Sequence, residues 1–489
     1  MIWLQMNDAS YEYDVRGLLM AFYPNEDIIK TGEAQPVGSW RRHLTVKCEA
    51  EGIEVSLICR WDEEEGTEET SFTGRRFLEG AGRRESKSIL KRMVYDLLSQ
   101  DTGKVLPWGT LTGIRPVKIA MGLLEEGSTQ EEIAAYMKRE YLVSDAKAVL
   151  SAQIAARERD ILSAIDYQEG YSLYVGIPFC PTTCLYCSFT SYPLSRFAAR
   201  VDEYLDAVEK ELAYTAEAFA GRKLNTVYFG GGTPTTLSAG QLDRLLTFIE
   251  EHFDFSHLRE YTVEAGRPDS ITRDKLQTLR NHGITRISIN PQTMQQKTLD
   301  LIGRRHTVEQ IRQAYYLARD LGFDNINMDL ILGLPQETIE DVRQTMEEIR
   351  ALGPDNITVH SLAIKRAARL NILWEQYAHM SMENSDETMA VAAETASKLG
   401  LFPYYLYRQK NMAGNLENVG YAAPGKEGLY NILIMEEKQS IVAVGAGATT
   451  KAVRPDGRIE RADNVKDIEL YLSRVDEMIE RKRRLFDWL

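Results

Sequence analysis

Apolar segments and helical patterns alternate between residues 171 and 364, and this alternation restricts the fold more than any other feature of the sequence. Repeated strand–helix–strand units imply right-handed crossovers and a parallel sheet. In the first intervening helix, Val201, Leu205 and Val208 have the spacing of one buried face. Six such units predict an α/β fold with a partial barrel. Its strands are expected at Leu173–Ile177, Thr226–Phe229, Tyr261–Ala265, Arg286–Asn290, Ile326–Leu332 and Ile357–Leu362.

The predicted strands end in polar or glycine-rich residues. In parallel barrels the carboxyl ends of the strands hold the functional residues. Polar groups within buried strands are also costly unless they are paired or used. We therefore expect one functional site at this edge of the sheet. Its candidate positions are the cysteine segment after the first strand, Gly230–Thr235, Glu264, Asn290, Gln292, Asp329, His360 and Ser361.

Three cysteines, Cys180, Cys184 and Cys187, follow the first predicted strand with the spacing C-x3-C-x2-C. Disulfides need specific geometry, and pairing two of these thiols leaves the third without a partner. Cysteine thiolates are the usual ligands of 4Fe–4S clusters, which normally take four. Three thiolates leave one iron open to a substrate, as in other open metal sites. Structural zinc and unrelated core cysteines are the alternatives, although zinc favours four ligands and no fourth Cys or His lies nearby in sequence.

The segments YVGIPFC and CLYCSF around these cysteines resemble the radical SAM enzymes, and among them the oxygen-independent coproporphyrinogen III oxidase group. The resemblance implies a (β/α)6 radical SAM barrel whose 4Fe–4S cluster binds S-adenosylmethionine (SAM) through the open iron. It also implies a tetrapyrrole substrate and a reducing electron donor such as flavodoxin or ferredoxin. In the oxidases a SAM-derived radical takes hydrogen from a propionate of coproporphyrinogen III, and loss of CO2 and one electron leaves a vinyl group.

The second predicted strand ends in GGGTPT, residues 230–235. Glycines let backbone groups approach a ligand closely. The segment resembles the radical SAM motif that holds the methionyl amino group, which makes Gly231, Gly232 and Thr233 candidate SAM contacts. A tight strand-to-helix turn explains the same glycines. A Walker A phosphate loop is excluded, because no Gly-Lys-Ser/Thr follows.

The resemblance implies further SAM contacts at the ends of the remaining strands. Carboxylate and amide groups suit ribose hydroxyls, and a guanidinium suits a carboxylate. Glu264 and Tyr174 are also the candidates for a catalytic role. For any single residue the alternative is a helix cap or a surface pair, and for Tyr174 it is a core position. The implied SAM-binding residues are Tyr174, Tyr186, Glu264, Gln292, Arg304 and Asp329.

A substrate with four propionates needs a pocket that presents cations. The candidates follow the fourth and sixth strands or lie in the C-terminal segment. After the sixth strand the family often has a proline-glycine loop, whereas this chain has IKRAARL. We interpret that segment either as a substrate clamp or as a solvated helix face. The candidate cations are Arg305, His306, Lys365, Arg366, Arg369, Arg408 and Lys410.

The chain also departs from the HemN-type oxidases of the group. Those enzymes continue the motif to C-x3-C-x2-C-x-C, where this chain has Phe189. The missing cysteine matches HemW-type heme chaperones and HemZ-type proteins. The segments YRQKN, NVGY and VGAGATTK and the long N-terminal extension match the HemZ type. Three functions stay open, namely coproporphyrinogen oxidation, heme binding or trafficking, and radical chemistry on heme itself.

The sequence before the barrel predicts a separate small domain. Alternating apolar residues indicate a hairpin whose apolar face includes Cys48 and Cys59 as small buried side chains. The acidic residues at 62–65 and 68–69 are expected in a solvated loop, and WGTLTGIRP is either a packed connector or a functional loop. The expected parts of the chain are a mixed α/β domain (1–100), a helical connector (101–168), the barrel (169–385) and an α+β C-terminal module (386–489).

The composition excludes several classes of partner. The net charge of −14 provides no overall basic field for nucleic acid or anionic membranes. No run of 18 apolar residues occurs, so no membrane span is expected. The start, MIWLQMNDAS, lacks the pattern of a signal peptide. Five cysteines, three of them clustered, fit a reducing cytoplasm, and a cytoplasmic monomer is expected.

Overall fold

The structure is a computed structural model that describes residues 1–24, 26–31, 39–49, 51–63, 66–78, 82–365, 367–377, 379–382, 384–409 and 412–488. By their contacts these residues divide into two units. The first contains Met1–Gln153 and Arg408–Asn411, and the second contains Ile154–Tyr407 and Met412–Leu489. The finer four-part division expected from the sequence remains a prediction. Within the described residues, no helix is long and apolar enough to cross a membrane.

The first unit has a five-stranded sheet in the order β2-β1-β3-β4-β5 among its described residues. Strand β1 pairs in parallel with β2 and β3, and β3, β4 and β5 are antiparallel. The strands are β1 (Ile2–Met6), β2 (Ile28–Thr31), β3 (Arg42–Glu49), β4 (Gly52–Glu63) and β5 (Gly66–Phe77). The helices are α1 (Glu12–Phe22), α2 (Arg83–Thr102), α3 (Val117–Glu125), α4 (Gln130–Tyr141) and α5 (Asp145–Ser163), which continues into the second unit after Gln153.

The predicted hairpin is confirmed as β3 and β4. Cys59 is buried in the core of this unit, and the half-buried Cys48 packs against the same core. Burial raises the pKa of Cys48 to about 11 and that of Cys59 to about 12. Both thiols are therefore protonated near neutral pH and behave as small apolar side chains.

The expectation of a solvated acidic loop is wrong for four of its residues. Asp62 and Glu63 belong to β4, and Glu68 and Glu69 belong to β5. The two strands pair over twelve residues, with Arg60 opposite Glu69. Glu68 and Glu69 point to opposite faces of β5 and are both exposed, so an acidic composition did not prevent strand formation. Residues 64 and 65 lie outside the described part of the chain.

The second unit contains the predicted parallel strands. Among its described residues, eleven strands form one sheet, in the order β14-β15-β13-β12-β11-β10-β9-β6-β16-β17-β18. The six consecutive strands from β13 to β6 are parallel, which confirms the partial barrel. These six are β6 (Gly170–Ile177), β9 (Lys223–Gly231), β10 (Glu260–Gly266), β11 (Arg286–Ile289), β12 (Ile326–Leu332) and β13 (Asn356–Ser361). Two short strands, β7 (Phe179–Cys180) and β8 (Tyr192–Pro193), form a separate pair.

The helices between these strands begin at residues that satisfy their free amide groups. Ser238, Thr307 and Thr338 each form a capping box with the residue three positions later. The helices that follow β6 in the second unit are α6 (Val201–Ala218), α7 (Ala239–His252), α8 (Arg273–Asn281), α9 (Gln296–Leu301), α10 (Val308–Asp320), α11 (Ile339–Leu352), α12 (Arg369–Ile372), α13 (Trp374–Tyr377), α14 (Asp386–Lys398), α15 (Leu429–Glu436), α16 (Ile468–Ser473) and α17 (Val475–Phe486).

The C-terminal part of the chain extends both edges of the parallel sheet. One strand pairs antiparallel with β13, and another pairs in parallel with β6. The strands are β14 (Phe402–Tyr407), β15 (Asn418–Ala422), β16 (Ser440–Val444), β17 (Thr449–Val453) and β18 (Ile459–Asp463). The expected C-terminal module therefore shares one sheet with the barrel.

A buried ion pair joins α6 to this C-terminal part. Glu211 and Lys482 are fully buried and form a salt bridge. Glu211 also accepts hydrogen bonds from the Gly445 amide at 2.8 Å, Asn464 Nδ2 at 2.7 Å and the Tyr471 hydroxyl at 2.6 Å. Such a pair is tolerated in the core because its remaining polar atoms are bonded. Because the Gly445 amide donates to Glu211, the ion pair also holds in place the glycine segment that follows β16, the strand that pairs with β6.

Candidate functional site

The structure brings the three clustered cysteines together in the loop between β6 and α6. Cys184 is buried, and Cys180 and Cys187 are half-buried. Burial, with a contribution from the two neighbouring thiolates, raises the pKa of Cys180 to about 11. Burial also raises the pKa of Cys187. The thiols thus affect one another electrostatically, and deprotonating all three calls for a compensating positive group such as a metal cluster.

Backbone hydrogen bonds hold the cysteine loop on two sides. The Leu185 amide donates to the Ile302 carbonyl at 2.9 Å, and Thr182 Oγ1 donates to the Gly303 carbonyl at 2.9 Å. The Leu370 amide of α12 donates to the Leu185 carbonyl at 2.8 Å. Neighbouring segments on both sides therefore hold the loop in place.

The donor set fits an iron–sulfur cluster. In the described part of the chain, no three Cys, His, Asp or Glu side chains converge as ligands of a single metal ion. The thiolates of a 4Fe–4S cluster bind different irons and need not converge on one point. Three neighbouring thiols in one ordered loop therefore suit a cluster better than a zinc ion, which takes tetrahedral ligands.

The glycine segment at the end of β9 lies directly against the cysteine loop. The Gly232 amide donates to the Ile177 carbonyl and the Thr233 amide to the Phe179 carbonyl, both at 2.7 Å. Thr233 Oγ1 donates to Cys180 Sγ at 3.4 Å. A Cβ added to Gly232 would lie 2.6 Å from the Phe179 carbonyl oxygen. Close backbone packing therefore explains this glycine.

The two preceding glycines face polar side chains. Gly231 has a φ of +105°, and a Cβ there would lie 3.2 Å from the Tyr174 hydroxyl. A Cβ on Gly230 would lie 3.3 Å from the Glu264 carboxyl group. The two glycines thus let the Tyr174 hydroxyl and the Glu264 carboxyl group lie close to the backbone at the end of β9, where a side chain would crowd them.

Glu264, on β10, has an environment suited to proton exchange near neutral pH. The Tyr228 hydroxyl donates to Glu264 Oε1 at 2.5 Å. Burial, assisted by the charge of Asp329, raises the pKa of Glu264 to about 7. The rings of Tyr174, Tyr228 and Tyr430 stack beside it, with centroids 4.4 Å apart for Tyr228 and Tyr430 and 6.2 Å apart for Tyr174 and Tyr228.

Asp329 lies in the middle of β12, and Gln292, which follows β11, bonds to it. Asn327 Nδ2 donates to Asp329 Oδ1 at 2.7 Å, and His360 Nε2 lies 3.8 Å from Asp329 Oδ2. Burial alone would raise the pKa of Asp329, but hydrogen bonding to His360 and Asn327 holds this pKa below its ordinary value. The Gln292 amide donates to the Asp329 carbonyl at 2.9 Å. Gln292 has a φ of +69°, an uncommon conformation for this residue that often marks a functional position.

Arg304 lies beside the cysteines with unused hydrogen-bonding capacity. It is buried, and its Nη1 donates to the Asn290 carbonyl. Burial opposes its charge, but the negative forms of Tyr186 and Cys184 raise the pKa of Arg304. Its Nε is buried and bonds to no atom of the residues that the structure describes. A buried guanidinium with a free donor beside the cysteines fits an anionic ligand such as a carboxylate.

Two of the predicted substrate cations are Arg305, which follows the buried Arg304, and Lys365, which lies near the cysteine loop. Arg305 is exposed. Lys365 is half-buried, with its Nζ 5.5 Å from the ring centre of the exposed Phe189. Burial lowers the pKa of Lys365, and the neighbouring Cys187 thiolate opposes that shift. These two lysine and arginine side chains remain candidates for binding an anionic substrate.

The prediction that His306 supplies a positive charge is wrong. The ring is fully buried, and burial together with the charge of Arg304 lowers the pKa of His306 to about 4. It is therefore neutral at pH 7. Arg408 belongs to the first unit, where it donates to the Leu111 carbonyl at 2.6 Å and lies over the Trp108 ring.

Arg369 is exposed and begins α12. The other predicted cations, Arg366 and Lys410, lie outside the described residues.

The sequence interpretation missed residues that contact the site. Arg267 reaches Cys184, and it directly follows the β10 strand end, a position that could have identified it. Tyr228 lies in β9, two residues before the glycine segment, and that position could also have identified it. Tyr430 comes from α15, about 200 residues further along the chain, and no local pattern predicts its position in the tyrosine stack.

Comparison with known proteins identifies the family. The family model described as Radical SAM superfamily matches residues 174–349. The oxygen-independent coproporphyrinogen-III oxidase-like protein HemZ of Bacillus subtilis (strain 168) is 39% identical over 457 residues, which cover 91% of this chain and 89% of that protein. The heme chaperone HemW of the same organism is 31% identical over 279 residues, covering 57% of this chain and 70% of HemW.

A solved structure supports the same assignment. Coproporphyrinogen III oxidase (HemN) from Escherichia coli, a radical SAM enzyme, matches with a TM-score of 0.50 and 26% identity, covering 66% of this chain and 73% of HemN. The structural match extends beyond residues 174–349, and the HemZ match extends over most of the chain. The chain therefore belongs to the radical SAM superfamily, in the HemZ-like family related to coproporphyrinogen III oxidase.

Proposed function

We propose that this protein is a radical SAM enzyme that converts propionate side chains of coproporphyrinogen III to vinyl groups in porphyrin biosynthesis. The observation that carries the proposal is that three neighbouring thiols lie in one loop beside the glycine segment at the end of β9, with Arg304 next to Cys184 and Glu264 next to Gly230. Similarity to HemZ and HemN supports the substrate class.

Each residue of the site has a role in this proposal. The thiolates of Cys180, Cys184 and Cys187 hold a 4Fe–4S cluster. When bound, the cluster and SAM supply the one-electron chemistry that activates a carbon–hydrogen bond. Arg304 binds the SAM carboxylate through its unused donor, because a guanidinium matches a carboxylate in shape and charge.

The barrel interior supplies orientation and proton control. Asp329 is ionised at neutral pH and accepts hydrogen bonds from ribose hydroxyls. Glu264 holds or releases a proton near pH 7 while the Tyr228 hydroxyl orients its carboxyl group. The Tyr174 hydroxyl lies against Gly231, and the stacked rings of Tyr174, Tyr228 and Tyr430 exclude water from one side of Glu264.

The rim of the site provides contacts for the tetrapyrrole. Lys365 and Arg305 offer positive charge for propionates, and Phe189 offers an exposed aromatic face. An external low-potential donor of the flavodoxin or ferredoxin type supplies the electrons. In a protein of net charge −14, local cations at the rim attract an anionic substrate that the overall field repels.

An anaerobic turnover assay tests the proposal. The full chain is purified without oxygen, its cluster is rebuilt, and SAM, a strong reductant, an electron acceptor and coproporphyrinogen III are added. We expect stepwise loss of CO2 from two propionates with matching 5′-deoxyadenosine. SAM cleavage with an untouched tetrapyrrole would exclude the oxidase while keeping the radical chemistry, and an added heme would then be followed for modification.

A second candidate function is heme binding or trafficking. It is favoured by Phe189, which is 69% exposed and lies beside Lys365, since a flat anionic tetrapyrrole can stack on such a surface. Partial similarity to HemW supports it as well. Stoichiometric heme binding without SAM cleavage, in a chain with a confirmed cluster, would favour this function over the oxidase.

A further inference from the structure

Arg267 is a buried guanidinium that contacts the cysteine loop between its first two cysteines. It directly follows β10 and is 2% exposed. Its Nη1 donates to Thr182 Oγ1 at 2.7 Å and to the Thr182 carbonyl at 3.1 Å. The same nitrogen lies 3.9 Å from Cys184 Sγ. One nitrogen of Arg267 therefore reaches both the backbone of the loop and one of its thiols.

The other side of the guanidinium is fixed by Asp269. Nε donates to Asp269 Oδ1 at 3.0 Å and Nη2 to Oδ2 at 2.7 Å, a bidentate pair. Burial alone would raise the pKa of Asp269, but the pairing with Arg267 holds this pKa below its ordinary value. Asp269 thus carries a negative charge next to Arg267. The pair places a cation near Cys184 and the compensating anion on the far side of that cation.

Thr182 links Arg267 to a third segment by hydrogen bonds. Its Oγ1 accepts from Arg267 and donates to the Gly303 carbonyl at 2.9 Å. The end of β10, the cysteine loop and the segment that carries Arg304 are joined through these bonds. Removing the guanidinium would break these links to Thr182 and Asp269 and leave Thr182 with its bond to the Gly303 carbonyl.

We propose that Arg267 is a positioning residue that holds Cys184 in place and makes the iron–sulfur cluster easier to reduce, and that Asp269 opposes this effect. The inference rests on the cluster of the proposed function. Hydrogen bonds to the cysteine sulfurs and the net charge around a cluster set its reduction potential. Reduction adds a negative charge, so a nearby cation favours the reduced cluster and a nearby carboxylate disfavours it.

This arrangement predicts shifts of opposite sign for the two partners. Arg267→Gln removes the cation and should move the reduction potential to a more negative value. Asp269→Asn removes the anion but keeps a hydrogen-bond acceptor, and should move it to a more positive value. Arg267→Lys keeps the charge and should recover part of the wild-type potential. A purely structural role predicts no such reversal, because both substitutions would loosen the same loop.

The experiment is a potentiometric titration of the full-length chain followed by electron paramagnetic resonance, without SAM or tetrapyrrole. Iron and sulfide contents are measured first, so each variant is compared at equal cluster loading. We expect the reduction equilibrium to change about tenfold for each of Arg267→Gln and Asp269→Asn, which is roughly 59 mV for one electron. Arg280→Gln, an exposed arginine on α8, is the matched control and should leave the potential unchanged.

Unchanged potentials, or shifts of the same sign, would overturn the inference while leaving the cluster assignment intact. If Arg267→Gln fails to fold or to bind iron, Asp269→Asn and Arg267→Lys decide the matter, because the first must still shift the potential upward relative to the second. A wild-type chain that binds no iron–sulfur cluster would overturn the inference together with the proposed function.

Discussion

The consecutive arginines Arg304 and Arg305, between α9 and α10, offer a sharp test of the SAM site. Arg304 is buried beside Cys184 and Tyr186, whereas Arg305 is exposed. We predict that Arg304→Gln weakens SAM binding and that Arg305→Gln does not. The two substitutions remove the same charge from neighbouring positions, so the second controls for general electrostatic effects.

The magnitude follows from the environment of Arg304. Hydrogen bonds to charged groups contribute about 1.5–3 kcal/mol, and the full value applies because the guanidinium is already dehydrated and its Nε is unused. At about 1.4 kcal/mol per factor of ten, the dissociation constant for SAM should rise roughly 10- to 150-fold. Arg305→Gln should change it less than about twofold, since exposed charges interact weakly through water.

Equilibrium binding of SAM to the reconstituted chain, without reductant, measures this directly because no turnover occurs. Iron content and circular dichroism confirm that each variant is folded and loaded, which matters because Arg304 also donates to the Asn290 carbonyl. Equal SAM affinity for wild type and Arg304→Gln, at equal cluster loading, would refute the assignment of Arg304 to the SAM carboxylate.

Three further predictions concern stability. The pKa of Glu264 is raised from 4.5 to about 7, so the folded state loses stability as pH rises between these values. In denaturant unfolding, the free energy of unfolding of Glu264→Gln relative to wild type should therefore rise by about 2–3 kcal/mol from pH 5 to pH 8. A difference that does not change with pH would contradict this. Lys482→Met should destabilise the second unit by about 3–5 kcal/mol, because Glu211 is left as a buried unpaired charge, whereas a loss below about 1 kcal/mol would show that water replaces the lysine. Gly445→Ala should lower the melting temperature and cluster loading, because its Cβ would lie 2.4 Å from the Gly176 carbonyl oxygen at a φ of +98°; unchanged melting would argue against this packing.

The barrel strands were predictable because each is a short apolar run bounded by turn residues. Strand β12, for example, is predicted and observed at Ile326–Leu332. The pairing of β16 with β6 was not predictable, because it joins segments more than 260 residues apart. Local periodicity gives the type of an element but not its long-range partner.

The site was partly predictable for the same reason. The cysteines and the glycine segment lie at or just after the ends of β6 and β9, where the fold brings them together, and Asp329 interrupts the apolar strand β12. Burial was not visible in the sequence, so His306 was assigned a charge that its environment removes. Tyr430 enters the barrel from α15 and could not be inferred from any nearby motif.

The most direct test of the account is the metal content of the anaerobically reconstituted chain and of two cysteine variants. We predict about four irons and four sulfides per wild-type chain, a brown chromophore, and the electron paramagnetic resonance signal of a reduced 4Fe–4S cluster. Cys184→Ala should lose all three, and Cys48→Ala, which alters a protonated thiol in the first unit, should keep them. A Cys184→Ala variant that retains the chromophore and signal would contradict the assignment of Cys180, Cys184 and Cys187 to a 4Fe–4S cluster. A wild-type chain that binds one zinc ion instead would contradict it as well.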